Sequence, residues 1–319
     1  MPTTDRRAAV SLDEARHRAG HLAFPTRPRD RRTLQLGLEP EFFPVLVDDR
    51  GAPAGRVPLR CCGRINVHDT LADLAVEDRR FRLGHESAAG ISEIELENGG
   101  RITFEPGAQV EHSTAVHRSA RAALADVDDT VARIDTAFRA RGAVLAAVGF
   151  DLWHPVESAP QQLTGERYRA QAAYYDRRGT WGSVMMRHTA SLQVNLDLGP
   201  EGTWQRRWLL AKRLGPALAA LLAARPHDGA VATRARAWQE LDPSRSGFPR
   251  LLVEGLSDDP REHWATAAVE ADVMLFRADT GGWRPGEPGF TFAHWIEDGH
   301  PELGWPTAED FDYHLTTLF

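Results

Sequence analysis

Apolar positions recur along this chain at two periods, dividing it into strand-like and helix-like stretches. In TLQLGLEPEFFPVLVDD, from Thr33, Leu34, Leu36 and Leu38 alternate with Gln35, Gly37 and Glu39. That is the period-two pattern of a half-buried strand. ISEIELENGGRITFEP shows two strand-like segments, Ile91–Glu97 and Arg101–Phe104, joined at Asn98-Gly99-Gly100. Asn-Gly between such segments predicts a hairpin, because both residues tolerate the positive φ that a tight turn needs. The helical period governs Thr114 to Arg141 and Trp204 to Ala224, which predict two long helices, one amphipathic and one rich in Ala and Leu. Short apolar Ala143–Phe150 and alternating Ser191–Leu198 predict further strands. Near the start, Ser11-Leu12-Asp13-Glu14 has the form of a capping box for a short helix to about His21, and TRPRDRR then reads as a linker. Strands and helices mix without regular alternation, so the expected class is α+β with a mostly antiparallel sheet. Residues 1–32 are expected to be a helix and linker, and 33–319 a single domain.

Composition narrows the possible functions. With 319 residues, 42% hydrophobic and 26% charged, the chain has the make-up of a globular protein able to bury a large core. Its 38 basic residues stand against 45 acidic ones, a net charge of −7 that argues against a general electrostatic grip on nucleic acid. No apolar run approaches membrane-spanning length, and the charged first thirty residues lack a secretory core, so a cytoplasmic protein with no membrane segment is expected. The two cysteines, Cys61 and Cys62, are adjacent; they form no disulfide framework or zinc motif and read as incidental. P-loop, GxGxxG, HExxH and GxSxG signatures are all absent.

Candidate chemistry therefore rests on carboxylates. Glu39 and Glu41, two apart on a strand, point to one face, and Glu105 and Glu111 flank the turn in TFEPGAQVEH. Hard oxygen ligands gathered from several strands suit Mg²⁺, particularly where it also holds nucleotide phosphates. The same spacing is equally that of a solvated strand face, the reading favoured for Glu93, Glu95 and Glu97. In MMRHTASLQVNLD, Ser191, Gln193, Asn195 and Asp197 oppose Leu192, Val194 and Leu196. That polar row is either a solvent face or a recognition surface, and its neutral amides suit a polar ligand. Arg167, beside Tyr168, and Arg236 are candidate clamps for carboxylate or phosphate. His112 and His188 read as structural.

These segments, taken together, resemble one family. LQLGLEPEF resembles the GxExE strand of the plant-type glutamate–cysteine ligases, which include the actinobacterial ergothioneine-pathway ligase. ITFEPGAQVEHS resembles their FEPGGQxELS segment, and MMRHTASLQVNLD their MMxxTASVQVNxD strand. ERYRAQAAYY, RAWQELDPSRSGFP and WPTAEDFDYHLTTLF are similar to further segments in the same order. The resemblance implies an antiparallel sheet curled into a funnel with helices outside, as in glutamine synthetase and these ligases. It also implies a reaction in which ATP phosphorylates the γ-carboxylate of L-glutamate and an amine, such as that of L-cysteine, displaces the phosphate. On that likeness Glu39, Glu41, Glu105 and Glu111 hold Mg²⁺. Gln109, Thr189, Gln193 and Asn195 line the ATP and glutamate sites, and Arg167 and Arg236 clamp anionic groups.

Three departures accompany the likeness. Ala108 replaces the family's second glycine of PGGQ, and His112 replaces an apolar residue. The sequence stops at HLTTLF, where the family continues with Pro-x-Val-Arg and Leu-Glu-x-Arg segments and a helical tail. The expectation is accordingly a γ-glutamyl ligase, with two alternatives: the same chemistry on another amine or acid, or a non-catalytic or split homologue needing a partner subunit.

Overall fold

The computed structural model describes residues 9–24, 34–60, 65–86, 92–200, 202–223, 232–246, 259–278 and 282–318. Cys61 and Cys62 and the expected linker lie outside the described residues. In chain order the elements are α1 (Leu12–Ala23), β1 (Leu36–Val47), β2 (Pro53–Arg56), α2 (Val67–Glu77), β3 (Phe81–Glu86), β4 (Ser92–Leu96), β5 (Arg101–Phe104), β6 (Val110–Ser113), α3 (Ala120–Arg139) and β7 (Ala143–Ala146). They continue with α4 (Glu166–Asp176), α5 (Trp181–His188), β8 (Leu192–Leu196), α6 (Trp204–Leu221), α7 (Thr233–Leu241), α8 (Pro243–Ser246), α9 (Pro260–Glu270), β9 (Leu275–Arg277), β10 (Trp283–Pro285), α10 (Phe292–Asp298) and α11 (Ala308–Leu315). The chain forms two compact units, one of residues 32–168 and 183–197, the other of 1–31, 169–182 and 198–319.

The first unit is built on a sheet running β2-β1-β6-β5-β4-β3, with β7 and β8 also paired to β1. Every ladder in it is antiparallel, which gives the expected α+β class. Four strands share the length of β1: β8 along Leu36–Pro40, β7 along Phe43–Leu46, β6 at Glu41 and Phe42, and β2 along Val45–Val47. Register sorts the side chains by face. Ile94 pairs with Ile102 and Phe104 with Val110, and all four pack in one core with Val67, Leu71 and Leu74 of α2 and Ile134 and Phe138 of α3. Burying that face leaves the alternate residues, among them Glu41, Thr103 and Glu111, on the other.

Two expected boundaries moved. The β4–β5 hairpin forms where Asn98-Gly99 predicts it: Gly99 takes φ +90° and the Asn98 side chain accepts the Gly100 N–H at 2.9 Å. The long helix starts at Ala120 rather than Thr114, because residues 114–117 are spent on the sheet. Thr114 N–H donates to Leu38 O and His117 N–H to Leu36 O, and the Ser119 hydroxyl then caps α3. The strand expected over Ala143–Phe150 stops at Ala146.

In the second unit, α1 packs on α9 through small residues. Ala15, Ala19, Ala265 and Ala268 join Val269, Phe292, Trp295 and Phe311 in one core. A methyl at Gly20 would meet Arg261 Cβ at 3.3 Å, so the helices lie close there. The helix that the sequence sets apart at the start is thus a full member of this core. Asp242 and Arg245 form a buried ion pair at 2.6 Å, and Tyr174 donates its hydroxyl to Asp242 at 2.8 Å. None of the described residues of α6 is buried, and Leu210, Leu214 and Leu218 stand exposed along it. Among the described residues no helix is long and apolar enough to cross a membrane.

Candidate active site

The sheet's second face collects the acids. Alternation along β1 places Glu39 and Glu41 on it, opposite Gln193 and Glu111 respectively, while Gly37 faces Asn195. Glu111 in turn faces Thr103. Hydrogen bonds fix two of the carboxylates. Ser191 holds Glu41 through its hydroxyl (2.6 Å) and its backbone N–H (3.0 Å), and the Thr103 hydroxyl donates to Glu111 at 2.6 Å. Gln193 reaches Glu111 with its amide nitrogen at 3.4 Å.

Glu105 enters from the turn that follows β5. Ala108 N–H closes that turn onto Glu105 O at 2.9 Å, and Glu105 N–H donates to Gln109 O at 3.0 Å. Burial pushes the Glu105 carboxyl up to about 8, and the negative charges of Glu111 and Glu41 push it the same way. Tyr168 lies against the same charges: burial raises its hydroxyl, and Glu105 raises it further, against Arg167. The Arg167 guanidinium stands 5.9 Å from the Tyr168 ring centre. Of the sequence-predicted residues, Glu41, Glu105 and Glu111 therefore sense one another, with Gln193 and Arg167–Tyr168 beside them.

Three predicted residues sit differently. Gln109 is buried, and its amide nitrogen donates to Thr189 O (2.8 Å) and Met186 O (3.4 Å). Thr189 is buried too, its hydroxyl closing on Met185 O at 2.7 Å. As placed, these two brace the Glu105 turn against the end of α5. Arg236 belongs to the other unit, where its guanidinium lies over Trp181 at 5.0 Å. His112 and His188 are buried, and burial lowers both to about 4, as befits neutral structural histidines.

The turn itself is strained at one position and closely packed at another. Ala108 takes φ +67°, a left-handed conformation that costs a non-glycine residue about 1 kcal/mol. Its methyl is buried in the core of the first unit, which offsets part of that cost. At Gly107 an added methyl would lie 2.6 Å from Arg187 O and 2.7 Å from Gln109 Oε1. Gly107→Ala is expected to push the Glu105 turn off α5 and to cost about 2 kcal/mol of stability. Chemical denaturation checks this, and unchanged stability would show that the turn is free to shift.

The face suits a divalent cation by its chemistry rather than by finished geometry. Among the described residues no group of three or more His, Cys, Asp or Glu side chains is placed to hold a metal ion as it stands. Yet a carboxyl held near 8 beside two more carboxylates is an arrangement that a hard cation relieves. Pattern reading missed two of the residues that build this face. Thr103 was hidden because its role depends on cross-strand register, and Arg56 because all its partners are remote in sequence.

Comparison with known proteins sets this face in context. Residues 35–319 match the family described as Glutamate-cysteine ligase family 2. A glutamate–cysteine ligase EgtA of Mycolicibacterium smegmatis is 38% identical over 280 residues, 84% of this chain and 62% of the relative. EgtA of Mycobacterium tuberculosis is 36% identical over 234 residues, covering 70% of this chain and 52% of the relative. The chloroplastic glutamate–cysteine ligase of Brassica juncea is 28% identical over 225 residues, with 68% and 43% covered. The chain thus spans between two-fifths and about three-fifths of the length of these three relatives. With the family's description matching from the first strand of the acidic sheet to the last residue, the chain belongs to glutamate–cysteine ligase family 2.

Proposed function

We propose that the protein is an ATP-dependent ligase that joins the γ-carboxyl of L-glutamate to an amine, with L-cysteine the favoured acceptor. The observation that carries this reading is the gathering of Glu41, Glu105 and Glu111 on one sheet face in a chain of this family. In the proposed reaction a γ-carboxylate oxygen attacks the terminal phosphorus of ATP, and ADP leaves. The amine then attacks the γ-carbonyl carbon of the acyl phosphate. Phosphate leaves with the bonding pair, and the ammonium product loses a proton to form the amide.

Such phosphoryl transfer asks little covalent chemistry of a protein; alignment and charge neutralisation carry it. Glu39, Glu41, Glu105 and Glu111 would hold Mg²⁺, which when bound neutralises charge on the phosphates. Gln193 and Asn195 offer neutral amides beside those acids, and Arg167 a planar fork for a carboxylate or phosphate. Gln109 and Thr189, engaged with backbone, would shape the wall rather than touch the ligand. Arg236 keeps its clamping role on the family likeness alone. The curling of the sheet into a funnel and a cytoplasmic setting belong to the same proposal.

One observation favours a second reading, in which the domain acts with a partner subunit. The apolar row of β8 is uncovered: Leu192 is 58% exposed, Val194 54% and Leu196 63%, and β8 pairs with β1 alone among the described strands.

The test is ADP release from the purified protein with ATP, Mg²⁺ and L-glutamate, with and without L-cysteine. Cysteine-dependent release, with γ-glutamylcysteine in the mass spectrum, is the expected result. Release only with a non-thiol amine would replace the acceptor. Binding of ATP without any release would favour the partner-dependent reading.

A further inference from the structure

Arg56 lies at the end of β2, paired across from Val45, in a segment with no pattern to mark it. Its guanidinium is nearly buried, yet it meets four separate segments of the first unit. Nε donates to Asp151 Oδ2 at 2.6 Å. Nη1 donates to Arg187 O at 2.6 Å and to Gly107 O at 3.2 Å. Nη2 faces His188 Nδ1 at 3.2 Å, and the cation stands 4.5 Å over the Phe43 ring. The far side of His188 fixes its tautomer. With Nδ1 accepting from Arg56, Nε2 carries the proton and donates to His154 O at 3.0 Å. Asp151 is anchored in turn by the Trp153 N–H at 2.9 Å and by His154 Nδ1 at 2.8 Å.

Two of those contacts bear on the acids. Gly107 belongs to the turn that carries Glu105, and Arg187 and His188 end the helix that leads into Ser191, the residue holding Glu41. A single rigid fork therefore sets the spacing between the segment presenting Glu105 and the segment orienting Glu41. A lysine could keep the charge opposite Asp151, but as a point charge on a flexible stem it could not span both carbonyls.

We infer that Arg56 is a positioning residue for the cation-binding carboxylates: it holds the Glu105 turn and the entry to β8 at the separation at which Glu105 and Glu41 act together. The inference rests on the metal-dependent reading above, and its test separates the two. Arg56→Lys retains the buried charge, so it avoids stranding the buried Asp151 carboxylate without a counter-charge. Should that variant fail to fold, the double variant Arg56→Met, Asp151→Asn removes the pair together.

Hydrogen–deuterium exchange supplies the readout that needs no activity. In Arg56→Lys the amides of Glu105, Gly107, Ala108, Gln109 and residues 189–191 are expected to exchange about tenfold faster, while the β4–β5 hairpin stays unchanged. In the turnover assay the half-saturating Mg²⁺ concentration should rise about tenfold with the KM for glutamate unmoved, and excess Mg²⁺ should restore rate. Exchange that is unchanged, or that quickens equally across the whole sheet, would overturn the positioning role. If the parent protein turns nothing over, the metal-dependent reading fails while the exchange result still decides whether Arg56 ties the two segments.

Discussion

Glu105→Gln is expected to make the metal-free protein more stable and to abolish ATP turnover. The side chain is largely withdrawn from water beside two carboxylates, so its folded pKa of about 8 lies well above the 4.5 of an ordinary glutamate. A raised carboxyl is fully compatible with the fold only below the unfolded value. As pH rises from about 4.5 toward 8 the unfolded chain gives up a proton that the folded one retains, and stability falls throughout that window. At pH 7 the loss is about 2 kcal/mol after allowance for partial exposure. Glutamine removes the charge and keeps the shape. The variant should therefore melt several degrees above the parent at pH 8 and within a degree or so of it at pH 5. Mg²⁺ should raise the parent's melting temperature at pH 8 and leave the variant's unmoved. A stability gain of equal size at both pH values would mean that burial of the charge is not its source.

Glu41→Ala carries the second large effect, this time on activity alone. Removing the carboxylate forfeits two hydrogen bonds from Ser191, each worth about 1 kcal/mol. It also removes one of the two negative charges that burden Glu105, a gain of opposite sign. The expected net change in stability is within about 1 kcal/mol, while ATP turnover falls about a thousandfold for loss of a ligand to the charge-neutralising cation. Melting temperature and ADP release measured on one preparation check both halves. A parallel loss of stability and activity would assign Glu41 a structural role.

How far the sequence discloses this architecture depends on whether the cause is local. The Asn98-Gly99 hairpin and the alternation of β1 were legible because turn chemistry and a buried face write themselves into neighbouring residues. The start of α3 was misplaced because what keeps residues 114–117 extended is the main chain of β1, nearly eighty positions away. β8 shows the converse failure. Its clean alternation implies one buried row, yet both rows are exposed, since it hangs on the edge of β1 with its apolar row uncovered. Among the acids, the pairing of Glu39 and Glu41 on one face follows from period two alone. That Glu111 lies across from Glu41, and that Glu105 is buried beside them, required the register of β1 on β6. Gln109 stood out through its motif, but its amide turns inward to brace Thr189. Arg56 could not be singled out, because its meaning is the meeting of hydrogen-bonding segments 51 to 132 residues away.

The docking of α1 bears on how this domain can be handled. An arginine-rich opening with a linker-like stretch behind it invites trimming, in the hope of a shorter and better-behaved protein. Cutting between residues 25 and 33 would carry off Val10, Ala15 and Ala19 and leave Ala268, Val269 and Phe311 without their cover. The trimmed product would present a sticky apolar trough in place of a helix, so poor recovery from expression would report the loss of a core element rather than any fault in the acidic sheet.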